Sequence, residues 1–272
     1  MNQLVGEQLS IITHKSQTTR HRILGIVNTD EYQIVYSDTP GIINKPAYKM
    51  QEGMMKFVQT ALQDADILLL MVEAGQKDLQ DERLVEKLQN MNVPLLVLVN
   101  KIDTVEQEEA KKWIAHWEEV FPKSEVIPVS ASLGFNVNTV QEKIVELLPE
   151  SPPYYPKDSL TDKPEKFFVE EIIREQILIQ YKQEIPYSVE VVVVHFKEEE
   201  SIFKIRADIM VARESQKGIL IGKGGSRLKG VGTDARKKMQ KFLGKQVFLE
   251  LQVKVNKDWR DNEKQLRRFG YL

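Results

Sequence analysis

The sequence predicts an α/β domain with a mostly parallel sheet, followed by a smaller α+β domain. Three observations carry this reading. Residues 1–148 alternate short continuous apolar runs with amphipathic helical stretches, the pattern of strands buried on both faces of a sheet. Residues 149–164 hold five prolines, with Ser, Asp and Tyr between them. Beyond them the order changes to helix, strand, strand, helix, helix, strand, with a glycine cluster between the paired helices.

The elements follow in order. Residues 22–27 and 32–37 read as strands joined by the polar turn Asn28-Thr29-Asp30-Glu31, a hairpin. Residues 45–63 read as a helix, 67–72 as a buried strand, 78–90 as a helix and 95–99 as a buried strand. Residues 105–120 read as a helix, 125–129 as a strand and 137–148 as a helix. The proline-bearing stretch reads as a semi-rigid linker. The second domain, 165–272, opens with a helix over 165–181. Strands at 189–196 and 202–211 flank the acidic turn 197–201. Helices at 216–221 and 226–243, a strand at 247–255 and a last helix at 260–268 complete it. No internal repeat stands out.

At 272 residues, the chain is long enough for two domains with real cores. It has no cysteine, which excludes disulfides, thiol nucleophiles and zinc–thiolate sites and fits a reducing compartment. The longest apolar run, 67–72, is far short of a membrane span, and no signal-peptide pattern opens the sequence. The net charge of −2 hides a split. Residues 201–272 hold 18 Lys and Arg against 7 Asp and Glu, a net of +11, and the rest of the chain carries −13. A basic domain on an acidic body points to an anionic partner, nucleic acid above all.

Two tetrapeptides carry chemistry. Asp38-Thr39-Pro40-Gly41 ends one apolar run, and Asn100-Lys101-Ile102-Asp103 ends a later one. In an Asn-Lys-x-Asp loop the aspartate can accept from both the ring N–H and the exocyclic amine of guanine. Adenine has no amine there and would leave the carboxylate unpaired, at a cost of roughly 1–3 kcal/mol. That role falls to Asp103. Asn100 would reach the other base edge and tie neighbouring loops together, and the Lys101 stem would lie over the base. Asp38 would hold Mg²⁺ through water, and the Gly41 N–H would contact a γ-phosphate. Asp, Asn and Gly favour ordinary turns as well. Both motifs in this order, each after a strand, favour a guanine-nucleotide domain of the P-loop-NTPase type, seen from its second strand onward. No Gly-x-x-x-x-Gly-Lys-Ser/Thr occurs in the sequence.

The cluster Ile221-Gly222-Lys223-Gly224-Gly225 stands between two predicted helices. A Gly-x-x-Gly turn lets backbone approach phosphates closely. Lys223 adds charge, and Arg227, Lys229, Arg236, Lys237 and Lys238 follow on the next helix. Ile219, Leu220 and Ile221 would form core and one wall of a base groove. The element order around this loop resembles a type II KH domain, a module that clamps about four nucleotides of single-stranded nucleic acid.

A guanine-nucleotide domain over 1–148, a linker over 149–164 and a type II KH domain over 165–272 together resemble the bacterial Era family of GTPases, across essentially the whole chain. Gln17, Thr18, Thr19, Arg20 and His21 look like the family's first switch. Thr19 matches its Mg²⁺-coordinating threonine, with Thr18 beside it leaving a one-residue ambiguity. Ser130-Ala131-Ser132 matches the Ser-Ala-x loop, whose central N–H would face the guanine oxygen. Ile185-Pro186-Tyr187-Ser188-Val189 matches the start of the KH sheet, and 261–271 the C-terminal helix and tail. The resemblance implies GTP binding and slow Mg²⁺-dependent hydrolysis. It couples these to binding the 3′ end of small-subunit 16S ribosomal RNA during ribosome assembly, in the cytoplasm with loose association at the inner face of the membrane.

After Gly41 stands Ile42, not Gln, so a side chain that orients water is missing there, and no general base is assigned. By the resemblance, residues 1–7 are the tail of the helix behind the phosphate loop. The first strand and that loop, about 20–30 residues, are expected to be missing. Without them the sheet should open a slot, and the polypeptide as written should bind GTP poorly. The alternative is an RNA-binding KH protein on a degenerate scaffold that never hydrolyses nucleotide. His14, His21, His116 and His195 lie at no ligand spacing, and Trp113 and Trp117, one helical turn apart, read as packing.

Overall fold

The computed structural model describes residues 1–79 and 81–272. Its elements are α1 (Asn2–Val5), β1 (Ile23–Asn28), β2 (Gln33–Asp38), α2 (Lys49–Asp64), β3 (Leu68–Glu73), α3 (Glu82–Gln89), β4 (Leu95–Asn100), α4 (Gln107–Val120), β5 (Glu125–Pro128) and α5 (Val137–Leu147). After these come α6 (Glu165–Gln180), α7 (Ile185–Ser188), β6 (Glu190–Glu198), β7 (Ile202–Val211), α8 (Glu214–Ile221), α9 (Ser226–Leu243), β8 (Gln246–Val255) and α10 (Glu263–Arg268). The chain divides into two compact units. The first comprises Met1–Gln8, Gly25–Ser37 and Gln59–Leu160, and the second Leu9–Leu24, Asp38–Val58 and Thr161–Leu272.

In the first unit β3, β4 and β5 form a parallel sheet in that order, and β1 pairs with β2 in a separate two-stranded sheet. The apolar run of β4 is explained by burial on both faces. Leu96 and Leu98 join Ile34, Tyr36, Val140 and Ile144 in one core. Leu95, Val97 and Val99 join Trp117 and Phe121 of the α4 side in the other. Trp117 is fully buried there, a packing residue. The expectation of a buried strand at 67–72 is corrected. Only Val72 is buried, and Met71 is 52% exposed. β3 is an edge strand: among the described residues only β4 pairs with it.

Some element starts also shift. The helix expected from residue 45 begins at Lys49, because Pro46 disfavours helical backbone at Lys45 before it and the Ala47 N–H is taken by the Gln51 side chain at 2.8 Å. The helix expected over 78–90 runs over Glu82–Gln89, capped by the Asp81 carboxylate, and Gln80 lies outside the described residues. Residues 149–160 form no helix or strand, but they are not loose. Gln33 accepts from the Tyr154 and Tyr155 N–H groups at 2.8 and 2.9 Å, and the Ile26 N–H donates to the Leu160 carbonyl at 2.8 Å.

In the second unit β7 lies centrally, antiparallel to β6 and parallel to β8. Its alternation sorts the two faces. Phe203, Ile205, Ala207, Ile209 and Val211 enter a core with α6 and α9, which contribute Ile173, Ile177, Val231, Ala235 and Met239. Met210 points the other way, into a cluster with Met50, Met54, Trp259, Leu266, Phe269 and Tyr271. The first turns of α2 and the C-terminal tail meet there so closely that a Cβ at Gly53 would lie 2.6 Å from the Tyr271 carbonyl oxygen. The short α7 was not anticipated, having too few residues to show a period. Among the described residues no helix is long and apolar enough to cross a membrane.

Candidate nucleotide loops and nucleic-acid interface

In the first unit, β4 delivers Asn100-Lys101-Ile102-Asp103 at its C-terminal end, where ligands of parallel sheets collect. The Asn100 side-chain oxygen accepts from the Ala131 N–H at 3.1 Å and so links this loop to Ser130-Ala131-Ser132. Ser130 is buried, 3.1 Å from the Ser132 hydroxyl, and its own Oγ accepts from the Leu133 N–H at 3.3 Å. Asn136 closes the loop by donating to the Pro128 carbonyl at 2.9 Å. Lys101 has the left-handed φ of 60°, and a short 3₁₀ turn, Ile102–Thr104, follows it. This turn presents Asp103 exposed at the surface. The Lys101 ammonium pairs with Glu73 at the end of β3.

In the second unit, Asp38 closes β2 and is followed by Thr39, buried Pro40, Gly41 and Ile42. Ile42 is apolar and 47% exposed. The Asp38 carboxylate accepts from Ser10 Oγ at 2.6 Å and from Thr19 Oγ1 at 3.1 Å. This oxygen-only donor set suits a hard divalent cation such as Mg²⁺. Ser10 carried no motif and was not anticipated.

Residues 17–21 are held by a buried polar network. The Arg174 guanidinium donates to the Thr18 carbonyl and is gripped by Glu171, with Nε 2.7 Å from Oε1. Arg20, 3% exposed, donates to the Val189 carbonyl at 2.6 Å and the Pro186 carbonyl at 3.2 Å, and pairs with Glu190 at 3.3 Å. Tyr271 donates to the same Glu190 oxygen at 2.9 Å. Burial pushes the Glu190 carboxyl up to about 7, with Arg20 opposing. His21 stacks on Tyr271 at 4.4 Å, and Nε2 lies 2.9 Å from the Phe269 carbonyl. Burial lowers its pKa to about 4, so the ring is neutral and Nε2–H is the donor. Sequence reasoning left Arg20 and His21 without partners, because theirs lie 170 and 248 residues away.

The glycine cluster joins α8 to α9. Gly222, Gly224 and Gly225 have φ of 72°, 59° and 77°, a backbone that side-chain-bearing residues rarely adopt. Leu220 is fully buried, Ile221 half-buried and Ile219 41% exposed, which divides them between core and surface. Along α9, Val231, Ala235 and Met239 recur every fourth residue and enter the core. That leaves Lys223, Arg227, Lys229, Arg236 and Lys237 exposed. Lys238 is half-buried and paired with Glu175.

Comparison with known proteins agrees with both halves. A family model described as "50S ribosome-binding GTPase" matches residues 1–101, and one described as "KH domain" matches residues 184–260. "GTPase Era" of Alkaliphilus metalliredigens is 42% identical over 274 residues, covering all of this chain and 92% of that protein. "GTPase Era" of Caldanaerobacter subterraneus is 44% identical over 274 residues, again with 92% of it covered. The chain spans 66% of "GTPase ERA1, chloroplastic" of Zea mays, at 44% identity. The fold is similar to Era in complex with MgGDPNP and nucleotides 1506–1542 of 16S ribosomal RNA. The TM-score is 0.94 at 35% identity, over 99% of this chain and 92% of that one. An Aquifex aeolicus Era variant bound to GDP and AlF4⁻ gives the same score and identity, with 93% of it covered. Whole-chain similarity to these relatives, together with both family matches, shows that the chain belongs to the Era family of GTPases.

Proposed function

We propose that this chain works as a guanine-nucleotide-controlled RNA-binding factor in ribosome assembly, taking the 3′ end of 16S ribosomal RNA through its KH domain. The glycine loop carries the reading. Three glycines at positive φ between two helices, with exposed Lys223, Arg227, Lys229 and Arg236 beside them, leave backbone and charge open to a phosphate chain. The related Era complex holds an RNA of that description. Residues 165–272 are the RNA-binding part, 1–148 the nucleotide part and 149–164 the connection. The cytoplasm is the compartment this reading implies.

Guanine would be read by Asp103, with Asn100 and Ala131 fixing the loops around it and the Lys101 stem covering the base. Ile102, Ser130 and Ser132 shape the same loops, and Thr39, Pro40 and Gly41 shape the separate loop that follows Asp38. Thr19 and Asp38 would hold Mg²⁺, which would supply positive charge to offset that of the phosphates. The Thr19–Asp38 contact favours Thr19 over Thr18 for that role. Gln17, Thr18, Arg20 and His21 keep Thr19 in place. Ile42 offers nothing to orient water, so hydrolysis relies on the cation and on backbone groups.

The RNA reading is tested by titrating labelled 16S nucleotides 1506–1542 across a salt series. Binding should weaken steeply with salt and be lost in the Gly222→Asp/Gly225→Asp double variant. Normal binding by the double variant would overturn the KH assignment.

A further inference from the structure

Lys15 lies just before the segment that supplies Thr19, and its side chain leaves that segment for the C-terminal end of α6. There its ammonium donates to the carbonyl oxygens of Leu178 and Tyr181. Last-turn carbonyls are the ones a helix leaves open, and a cation there is favoured by the aligned peptide dipoles. Tyr181 is the residue that ends the helix, its N–H donating to the Ile177 carbonyl at 3.1 Å.

The buried ring of Tyr181 then reaches the glycine loop in two ways. Its hydroxyl donates to the Leu220 carbonyl at 2.6 Å, two residues before Gly222. The Arg227 guanidinium lies over its face, 6.0 Å from the centroid. The Arg227 stem in turn closes on Gly222, where a Cβ would fall 2.8 Å from Arg227 Cγ. One aromatic residue therefore touches the anchor of the 15–21 segment, the last fixed turn before the loop and the first basic side chain after it. All of these residues lie in the second unit.

We propose that Tyr181 is a positioning residue for the glycine loop and that Lys15 sets its placement, so that docking of residues 15–21 is coupled to RNA binding. This rests on the RNA-binding reading above. When Lys15 withdraws, two carbonyls lose a charge-assisted partner and the last turn of α6 loosens. The Tyr181 hydroxyl and ring then cease to back Leu220 and Arg227. The loop keeps its glycines and its charge but loses the support that holds them in the binding geometry.

The test uses the full chain and labelled 16S nucleotides 1506–1542, the RNA of the related complex. Tyr181→Phe and Lys15→Met are each expected to weaken binding about threefold to tenfold, the range of one lost hydrogen bond. The double variant should be no weaker than the worse single variant by more than about twofold, because both cut one path. The slope of affinity against salt should be unchanged in Lys15→Met. A lysine that contacted phosphate would lower it by about one. Without RNA, amide exchange at residues 222–225 should quicken in both variants. Unchanged affinity and exchange in Lys15→Met, or a reduced salt slope, would overturn the coupling. Failure of the parent chain to bind RNA would overturn the RNA reading instead, and the exchange measurement would still decide the coupling.

Discussion

Replacing His21 with Gln should change how stability depends on pH, in a direction set by where the ring sits. His21 is enclosed by Tyr271, Phe57 and Phe167, with ring centroids at 4.4, 5.9 and 5.7 Å, and its Nδ1 is buried without a partner. Burial lowers its pKa from 6.5 to about 4. Glu171 and the Phe269 carbonyl oppose this, while Arg174 and Lys163 add to it. Between those values the unfolded chain holds a proton that the folded chain refuses, so the contribution of His21 to stability rises with pH. It is complete above 6.5 and lost as pH falls towards 4. At about 1.4 kcal/mol per unit, the window amounts to roughly 3 kcal/mol. Glu190 and Glu170, both pushed up to about 7 by burial, pull the other way, but they titrate in parent and variant alike. The informative quantity is therefore the difference between the two proteins. Urea unfolding followed by NMR signals of β7 core methyls, from pH 4 to 8, should give a constant difference above pH 6.5 and a shrinking one below. A flat difference, or an imidazole titrating near 6.5 in the folded parent, would refute the burial of this ring.

Other perturbations follow from single contacts. Gly53→Ala gains helix propensity but forces a methyl against the Tyr271 carbonyl oxygen, so urea unfolding should show a net loss of about 1–3 kcal/mol. Trp117→Ala empties the core on one face of β4 and should cost about 3–5 kcal/mol, measured as a fall in the unfolding midpoint.

Local patterns were legible where burial is local. The run Leu95 to Val99 announced a strand covered on both faces, and β4 is one. The glycine cluster announced a turn between two helices, and it is one, with its three glycines at positive φ. The similar-looking run at 67–72 misled, because composition does not reveal whether a strand has neighbours on both sides. The proline-bearing stretch showed its irregularity but not its attachment, which rests on Gln33, 121 residues before Tyr154, and on Ile26 and Asn28 bonded to the Leu160 and Ser159 carbonyls. Residues 17–21 and 38–42 were expected, from the family resemblance and the tetrapeptide, to serve nucleotide binding. Their structural membership of the second unit was hidden, since it rests on Arg20 with Glu190 and on Met50 and Met54 with Trp259. Such pairs join distant parts of the chain, and no spacing rule reports them.

The proposed nucleic-acid surface of this chain is residues 221–229. Amide hydrogen exchange, with and without saturating 16S nucleotides 1506–1542, addresses it most directly. Protection is expected at Gly222, Lys223, Gly224 and Gly225 and over the first turn of α9, with the amides of β4 unchanged. Protection confined to the first unit, or none at residues 221–229 while the RNA is bound, would contradict it.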